Sequence, residues 1–266
     1  MNIIVCIKQV PGVTDVKINP DTNTLIREGV SSIINPFDMY AIEEGLRIKE
    51  KLGGKVKVVS LGPPQAINAL KEAVGMGADE AISLSDRAFA GSDSWATAYA
   101  LALAIKKMGD FNIILCGKQA IDGDTGQVGP GIASQLGITQ LTYVFKIIKL
   151  EPESGTITVE RLLEEGREIV ETKLPVLLTV VKDINHPRGA TLYHLRRAAK
   201  LRIPVWTATD LPEADLSKLG LKGSPTQVIK ISSPPKREGA LDLIKADSIE
   251  QSAAILADKI IAEKIL

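Results

Sequence analysis

The chain has only two histidines and two cysteines, and 4% of its 266 residues are aromatic. Each shortage excludes something. His186 and His194 have no candidate nucleophile or second metal ligand near them in sequence, so neither a histidine triad nor a histidine-rich metal centre is expected. Cys6 and Cys116 each close an apolar run. Two isolated cysteines make neither a disulfide framework nor a zinc cluster, and they suit a reducing compartment. Sparse aromatics argue against stacking platforms for single-stranded nucleic acid. Net charge is also missing, because 32 lysines and arginines balance 32 aspartates and glutamates. No field therefore recruits nucleic acid or an anionic membrane. LPVLLTVV, residues 174–181, is far too short to cross a bilayer. The opening MNIIVCIKQV reads as a strand, without the basic region and cleavage site of a signal peptide. The expectation is a cytoplasmic protein with neither nucleic-acid nor membrane partners.

Catalytic signatures are lacking as well. Neither G-x-S-x-G nor H-E-x-x-H occurs. Glu164, Glu165, Glu168 and Glu171 read as a solvated turn and strand face rather than an acid–base pair. Any chemistry must then come from a bound cofactor.

What is present is an alternation. Apolar runs rich in Ile, Val and Leu, at 3–10, 55–62, 80–86 and 112–117, are separated by helical patterns at 38–52, 66–77 and 93–108. Strands apolar on both faces and spaced by helices predict an α/β fold: a doubly wound, mostly parallel, Rossmann-like sheet. After residue 137, LTYVFKIIKLE, TITVERLLEEGREIVE and LPVLLTVVKD read as longer strands, an antiparallel β addition to the sheet. Beyond residue 183 the apolar density falls and prolines appear at 187, 204, 212, 225, 234 and 235. This predicts an α/β domain over 1–184 and an extended C-terminal arm over 185–266. The arm would lie on another subunit and end in a helix over 248–265, opened by a Ser-x-x-Gln capping box.

Open parallel sheets bind ligands at the carboxyl ends of their strands. Loops leave those ends at 8–12, 61–65 and 117–129, and INPFD at 34–38 joins the same edge. The stretch CGKQAIDGDTGQVGP places glycines at 117, 123, 126 and 129 between a strand and a helix. Such a loop converges backbone N–H groups on an anion, reinforced by the helix N-terminus. Asp124 is positioned to cap that helix, with Gln127 completing a capping box, and Pro130 fits the first turn. Lys118 is the loop's cation; Asp122 would meet ribose hydroxyls or fix the loop. The loop reads as a phosphate cradle for a nucleotide.

VERLLEEGREIVETKLPVLLT (159–179), GKQAIDGDT, INPFD with AIEE, and NHPRGATL (185–192) together resemble the β subunit of electron-transfer flavoproteins. The resemblance implies an adenine-nucleotide site, an electron-transfer flavoprotein α-subunit partner in an obligate heterodimer, and electron delivery between dehydrogenases. It implies that Cys6, Asn35, Pro36, Phe37, Asp38 and Leu61 take part in that site. From the glycine-rich loop it adds Gly117, Lys118, Gln119, Ala120, Ile121 and Asp122, then Gly123, Asp124, Thr125, Gly126, Gln127 and Val128. Ala190, Thr191 and Leu192 match the segment that anchors a partner dehydrogenase. Two features, DGDTGQVGP and SDRAFAGSDSWATAYAL (85–101), resemble the bifurcating class of the family. In that class the site holds FAD, takes electrons from NADH, and divides them between the α-subunit flavin and ferredoxin. Arg87 and Phe89 would then border the NADH pocket. In ordinary members the same site holds structural AMP. Gly126 stands where the resemblance to the bifurcating class implies alanine or a polar residue, a departure that leaves FAD and AMP both open.

Overall fold

The structure, a computed structural model, describes residues 1–12, 32–229 and 242–263. The turn signals expected at 19–23 and the prolines at 234 and 235 lie outside them.

The first apolar run forms β1 (Asn2–Cys6) and then leaves the main sheet. Its continuation, β2 (Gln9–Pro11), pairs antiparallel with β3 (Ser32–Ile34) in a separate ribbon. The run read as one strand over 3–10 is thus two. The break falls at Lys8, whose amide donates to the Asp38 carboxylate instead of to a neighbouring strand. α1 (Pro36–Leu52) follows, with proline at its start, where no backbone donor is missed. Then come β4 (Lys55–Leu61), α2 (Ile67–Met76) and β5 (Glu80–Leu84). α3 (Ser94–Met108) is capped by Asp93, which accepts hydrogen bonds from the Trp95 and Ala96 amides. β6 (Ile113–Gly117) leads through the glycine-rich loop into α4 (Val128–Leu136).

The second part of the chain differs from its expected pattern in one respect. β7 (Thr139–Glu151), β8 (Thr156–Leu163) and β9 (Gly166–Lys173) form the antiparallel addition. β10 (Val176–Val180), read with that addition, instead inserts between β6 and β7, parallel to both. Burial explains it: all five β10 residues are buried, which an edge strand of a meander cannot offer.

Residues 185–229, expected as part of an arm, fold onto the first unit. α5 (Leu192–Lys200) packs on α2, and β11 (Val205–Trp206) extends the sheet parallel to β5. α6 (Gly220–Gly223) rests on α3. Low apolar density hid this, because a two-residue edge strand and a helix docked along one stripe need little core of their own. The chain divides into units Met1–Lys230 and Ile231–Leu266. The second holds α7 (Ile249–Ala262), with the Ser248 hydroxyl accepting from the Gln251 amide as the capping pattern predicts.

The nine-stranded sheet runs β11-β5-β4-β1-β6-β10-β7-β8-β9. From β1 the chain winds toward β4 and β5, then returns to β6 on the other side. The reversal lies between β1 and β6. Along β1, Ile3 and Val5 pack with α1 and α2, while Ile4 and Cys6 pack with α3 and α4. Each buried aliphatic chain contributes roughly 1.5–3 kcal/mol, and both faces of the sheet are covered along its parallel centre, β1, β4, β6 and β10.

Candidate nucleotide site

The carboxyl ends of β1, β4, β5 and β6 open into a cleft of ≈ 870 Å³ at the point where strand order reverses. Asp38, in the first turn of α1 and buried, is its anchor. Its Oδ2 accepts from the Lys8 amide at 2.7 Å; its Oδ1 accepts from Asn35 Nδ2 at 3.0 Å and from the Gly117 amide at 3.2 Å. One carboxylate therefore ties the end of β1, the start of α1 and the end of β6 together. Burial pushes its pKa up to about 7, against the pull of the donors from Asn35, Lys8 and Gly117.

Asn35 holds the glycine-rich loop. Its Nδ2 also donates to the Gln119 carbonyl at 2.8 Å, and its Oδ1 accepts from the Ile121 amide at 3.1 Å. Gly117 must be glycine, since a Cβ there would run into Asp38 Oδ1 and stand 2.7 Å from the Phe37 carbonyl carbon. Lys8 Nζ pairs with Asp122 Oδ1 at 2.7 Å, a partly exposed contact between the glycine-rich loop and the segment after β1. Lys8 is a cation the sequence reading passed over. Lys118 Nζ lies 5.0 Å from the Tyr143 ring centre, a cation–π contact on the loop's flank.

The expected capping box at α4 is not formed. Asp124 has φ +56 and its carboxylate accepts from the Gln119 side-chain amide, while Gln127 occupies the cap position without a side-chain cap bond. Left-handed turns at Asp124 and Gly126 (φ +64) swing the chain so that the helix begins later. No side chain occupies the first turn's amides, which leaves them open to an anionic ligand. This is the feature that fits a nucleotide phosphate.

Most of the expected residues meet here. Cys6, Asn35, Asp38, Leu61, Gly117, Lys118, Gln119 and Ala120 line the cleft, as do Gly123, Asp124, Thr125, Gly126, Gln127 and Val128. Four others do not. Pro36 lines a smaller hollow of ≈ 320 Å³ beside Met39 and Glu72, Phe37 backs Gly117, Ile121 is exposed, and Asp122 sits in the Lys8 pair. Arg87 and Phe89 form the facing wall in a single 3-10 turn capped by Asp86. Arg87 is exposed, whereas Phe89 is buried in the core and lines the cleft from beneath. Two further wall residues escaped the sequence reading. Ser94 Oγ donates to Thr125 Oγ1 at 3.1 Å, and Asp93 accepts from both the amide and the hydroxyl of Thr226. These are long-range contacts that no local pattern announces.

Ala190, Thr191 and Leu192 are not part of the cleft lining. Thr191 caps α5 through the His194 amide at 3.2 Å, and Leu192 is 85% exposed. Among the described residues no group of three His, Cys, Asp or Glu side chains could hold a metal, and no helix is long and apolar enough to cross a membrane.

Fold and site define a doubly wound α/β protein with a large cleft, open at helix amides, at the reversal of its sheet. Residues 22–211 match the electron transfer flavoprotein domain. The chain is 57% identical over 88% of its length to the electron transfer flavoprotein subunit beta of Thermoanaerobacterium thermosaccharolyticum, covering 88% of that protein. It is 48% identical to the subunit of the same name in Clostridium acetobutylicum, with 98% of each chain covered. Against protein FixA of Bradyrhizobium diazoefficiens it is 46% identical, over 98% of this chain and 91% of that one. The chain belongs to the electron transfer flavoprotein family, among its β-subunit and FixA members.

Proposed function

We propose that this chain is the β subunit of a bifurcating electron-transfer flavoprotein, holding FAD in the cleft between β1 and β6. The observation that carries the reading is convergence: Asp38 and Asn35 lock the ends of β1 and β6 and the glycine-rich loop around ≈ 870 Å³ of space. That volume stands near the top of the roughly 300–1,000 Å³ range of small-molecule sites, which favours a dinucleotide over AMP. The first-turn amides of α4 would take the pyrophosphate, and the Lys8–Asp122 pair would hold the loop closed beside it. Bound FAD supplies hydride acceptance and single-electron release. Arg87, exposed on the facing wall, would meet a phosphate of NADH, and Phe89 would support the floor beneath it. This chain's part is to bind and position the cofactor, whose own chemistry carries the reaction.

The relatives named as beta subunits support an α-subunit partner. The apolar α7, with Ile249 and Ile261 exposed in its own unit, suits burial on that subunit. Leu192 is the proposed plug for a dehydrogenase, and ferredoxin is the low-potential acceptor. The test is anaerobic addition of NADH to the α–β complex. Bleaching of the visible flavin absorbance is expected; no response would instead assign the cleft to AMP and the complex to ordinary electron carriage.

A further inference from the structure

Cys6 and Cys116 are register partners on the adjacent parallel strands β1 and β6. Both are free and buried, both pack toward α3 and α4, and both reach the cleft. Paired strands stand roughly 4.7–4.9 Å apart, inside the ~4.4–6.8 Å window of Cα separations that a disulfide spans. Contact with Cys6, and then burial, hold the Cys116 thiol well above its ordinary range. The residues that follow matter as much as the thiols. Lys8, two beyond Cys6, and Gly117, one beyond Cys116, are the two whose amides end on Asp38.

We propose that Cys6 and Cys116 form a modification site, a dithiol that a peroxide closes into a disulfide, and that closure disables the cleft above it. The inference rests on the nucleotide reading of the cleft. In the first step one sulfur attacks the peroxide: an S–O bond forms, the O–O bond breaks, and water leaves. In the second step the other thiol attacks that sulfur: the S–S bond forms, the S–O bond breaks, and a second water leaves. Two thiols and one hydrogen peroxide give one disulfide and two waters, the sulfur pair losing two electrons. Closure pushes the Cα atoms of in-register parallel strands from about 4.8 Å toward the ~5.5–6 Å that a disulfide prefers, and the spreading of the strand ends is delivered to Lys8 and Gly117. The Asp38 clamp then loses its spacing and the loop its support. A bond made under such strain is readily reduced, which makes the change reversible. A nucleotide lying over the two thiols would shield them, so occupancy and oxidation oppose each other.

The experiment uses the full-length chain, stripped of nucleotide or loaded with AMP or FAD, treated with hydrogen peroxide and followed by intact mass and peptide mapping. The stripped chain is expected to become about 2 Da lighter with a Cys6–Cys116 crosslink. Either nucleotide should slow this at least tenfold, and the oxidised chain should bind AMP and FAD at least tenfold more weakly until dithiothreitol restores it. Cys116→Ser, with Cys6→Ser as the second variant, should give no crosslink, and the chain carrying both substitutions should hold its own affinity unchanged through peroxide. Sulfinic or mono-oxidised products without the crosslink would overturn the proposal. So would a crosslink that forms at the same rate with nucleotide bound or that leaves affinity unchanged. Failure of the reduced chain to bind either nucleotide is a separate result, and would overturn the nucleotide reading itself.

Discussion

The Arg188 guanidinium donates to both carboxylate oxygens of Glu43, at 2.8 Å and 3.1 Å, and its backbone amide reaches the same group at 3.2 Å. Arg188 also pairs with Glu50, and Arg47 holds the other side of Glu43, whose side chain is only 4% exposed. Burial pushes the Glu43 pKa up, but the hydrogen bonds from Arg188 and Arg47 outweigh it and hold the group below its usual range. Nearby, Asn185 donates to the Tyr40 carbonyl at 3.0 Å and to Glu44 at 2.9 Å. α1 thus carries the Asp38 clamp at its start and the 185–188 segment along its flank.

Arg188→Ala leaves the buried Glu43 carboxylate with Arg47 and the backbone amide of residue 188 as its partners, and without the paired guanidinium. Stability should fall by about 3 kcal/mol, the lower end for breaking a buried pair because Arg188 is partly exposed. Urea unfolding checks this; a loss under about 1 kcal/mol would show that the network behaves as an ordinary surface pair.

Gly123 tests the cradle without disturbing the fold. Nothing lies within 4 Å of where its Cβ would stand, and its backbone is not left-handed. Gly123→Leu should therefore leave stability within about 0.5 kcal/mol while its side chain takes space in the cleft. Nucleotide content should drop at least tenfold. Asp122→Ala should lower it less, because only the exposed Lys8 pair is lost. Unchanged nucleotide content in both variants would remove the loop from the site.

Asp38 makes a pH prediction. Its pKa rises from 3.8 to about 7 on folding, so between those values the folded state binds more proton than the unfolded one. Its contribution to stability is therefore greatest below about pH 4 and declines as pH rises to 7. At 1.36 kcal/mol per unit the change is at most about 4 kcal/mol. Asp38→Asn should flatten this part of the stability–pH curve relative to the parent. Parallel curves for the two proteins would place the Asp38 titration elsewhere.

Leu192 should separate docking from folding. At 85% exposure, Leu192→Ala should leave stability within about 0.5 kcal/mol. If Leu192 is the dehydrogenase plug, the apparent KM for the dehydrogenase should rise about thirtyfold, the loss of one interface anchor of about 2 kcal/mol. Thr191→Ala is the contrasting variant: losing the α5 cap costs about 1 kcal/mol of stability.

What was legible in the sequence was what is local. The runs of β1, β4, β5 and β6 announce themselves by composition, and the loops at their ends by glycine, proline and asparagine. The meeting of 34–38 with 117–129 followed from sheet logic alone. What stayed hidden depends on distant partners. β10 looks like any apolar strand until β6 and β7 close on it from both sides. β11 has two residues and exists because β5 offers an edge. Asp124 carries a capping residue's chemistry, yet its left-handed backbone sends the carboxylate to Gln119 instead. Lys8 gave no signal, because its partner Asp122 lies more than a hundred residues away.

The central claim is tested most directly by releasing the nucleotides of the α–β complex with denaturant and counting them against protein. The account predicts two FAD per heterodimer and no AMP. One FAD with one AMP would contradict it, and would make this chain a structural and docking subunit of an ordinary electron carrier.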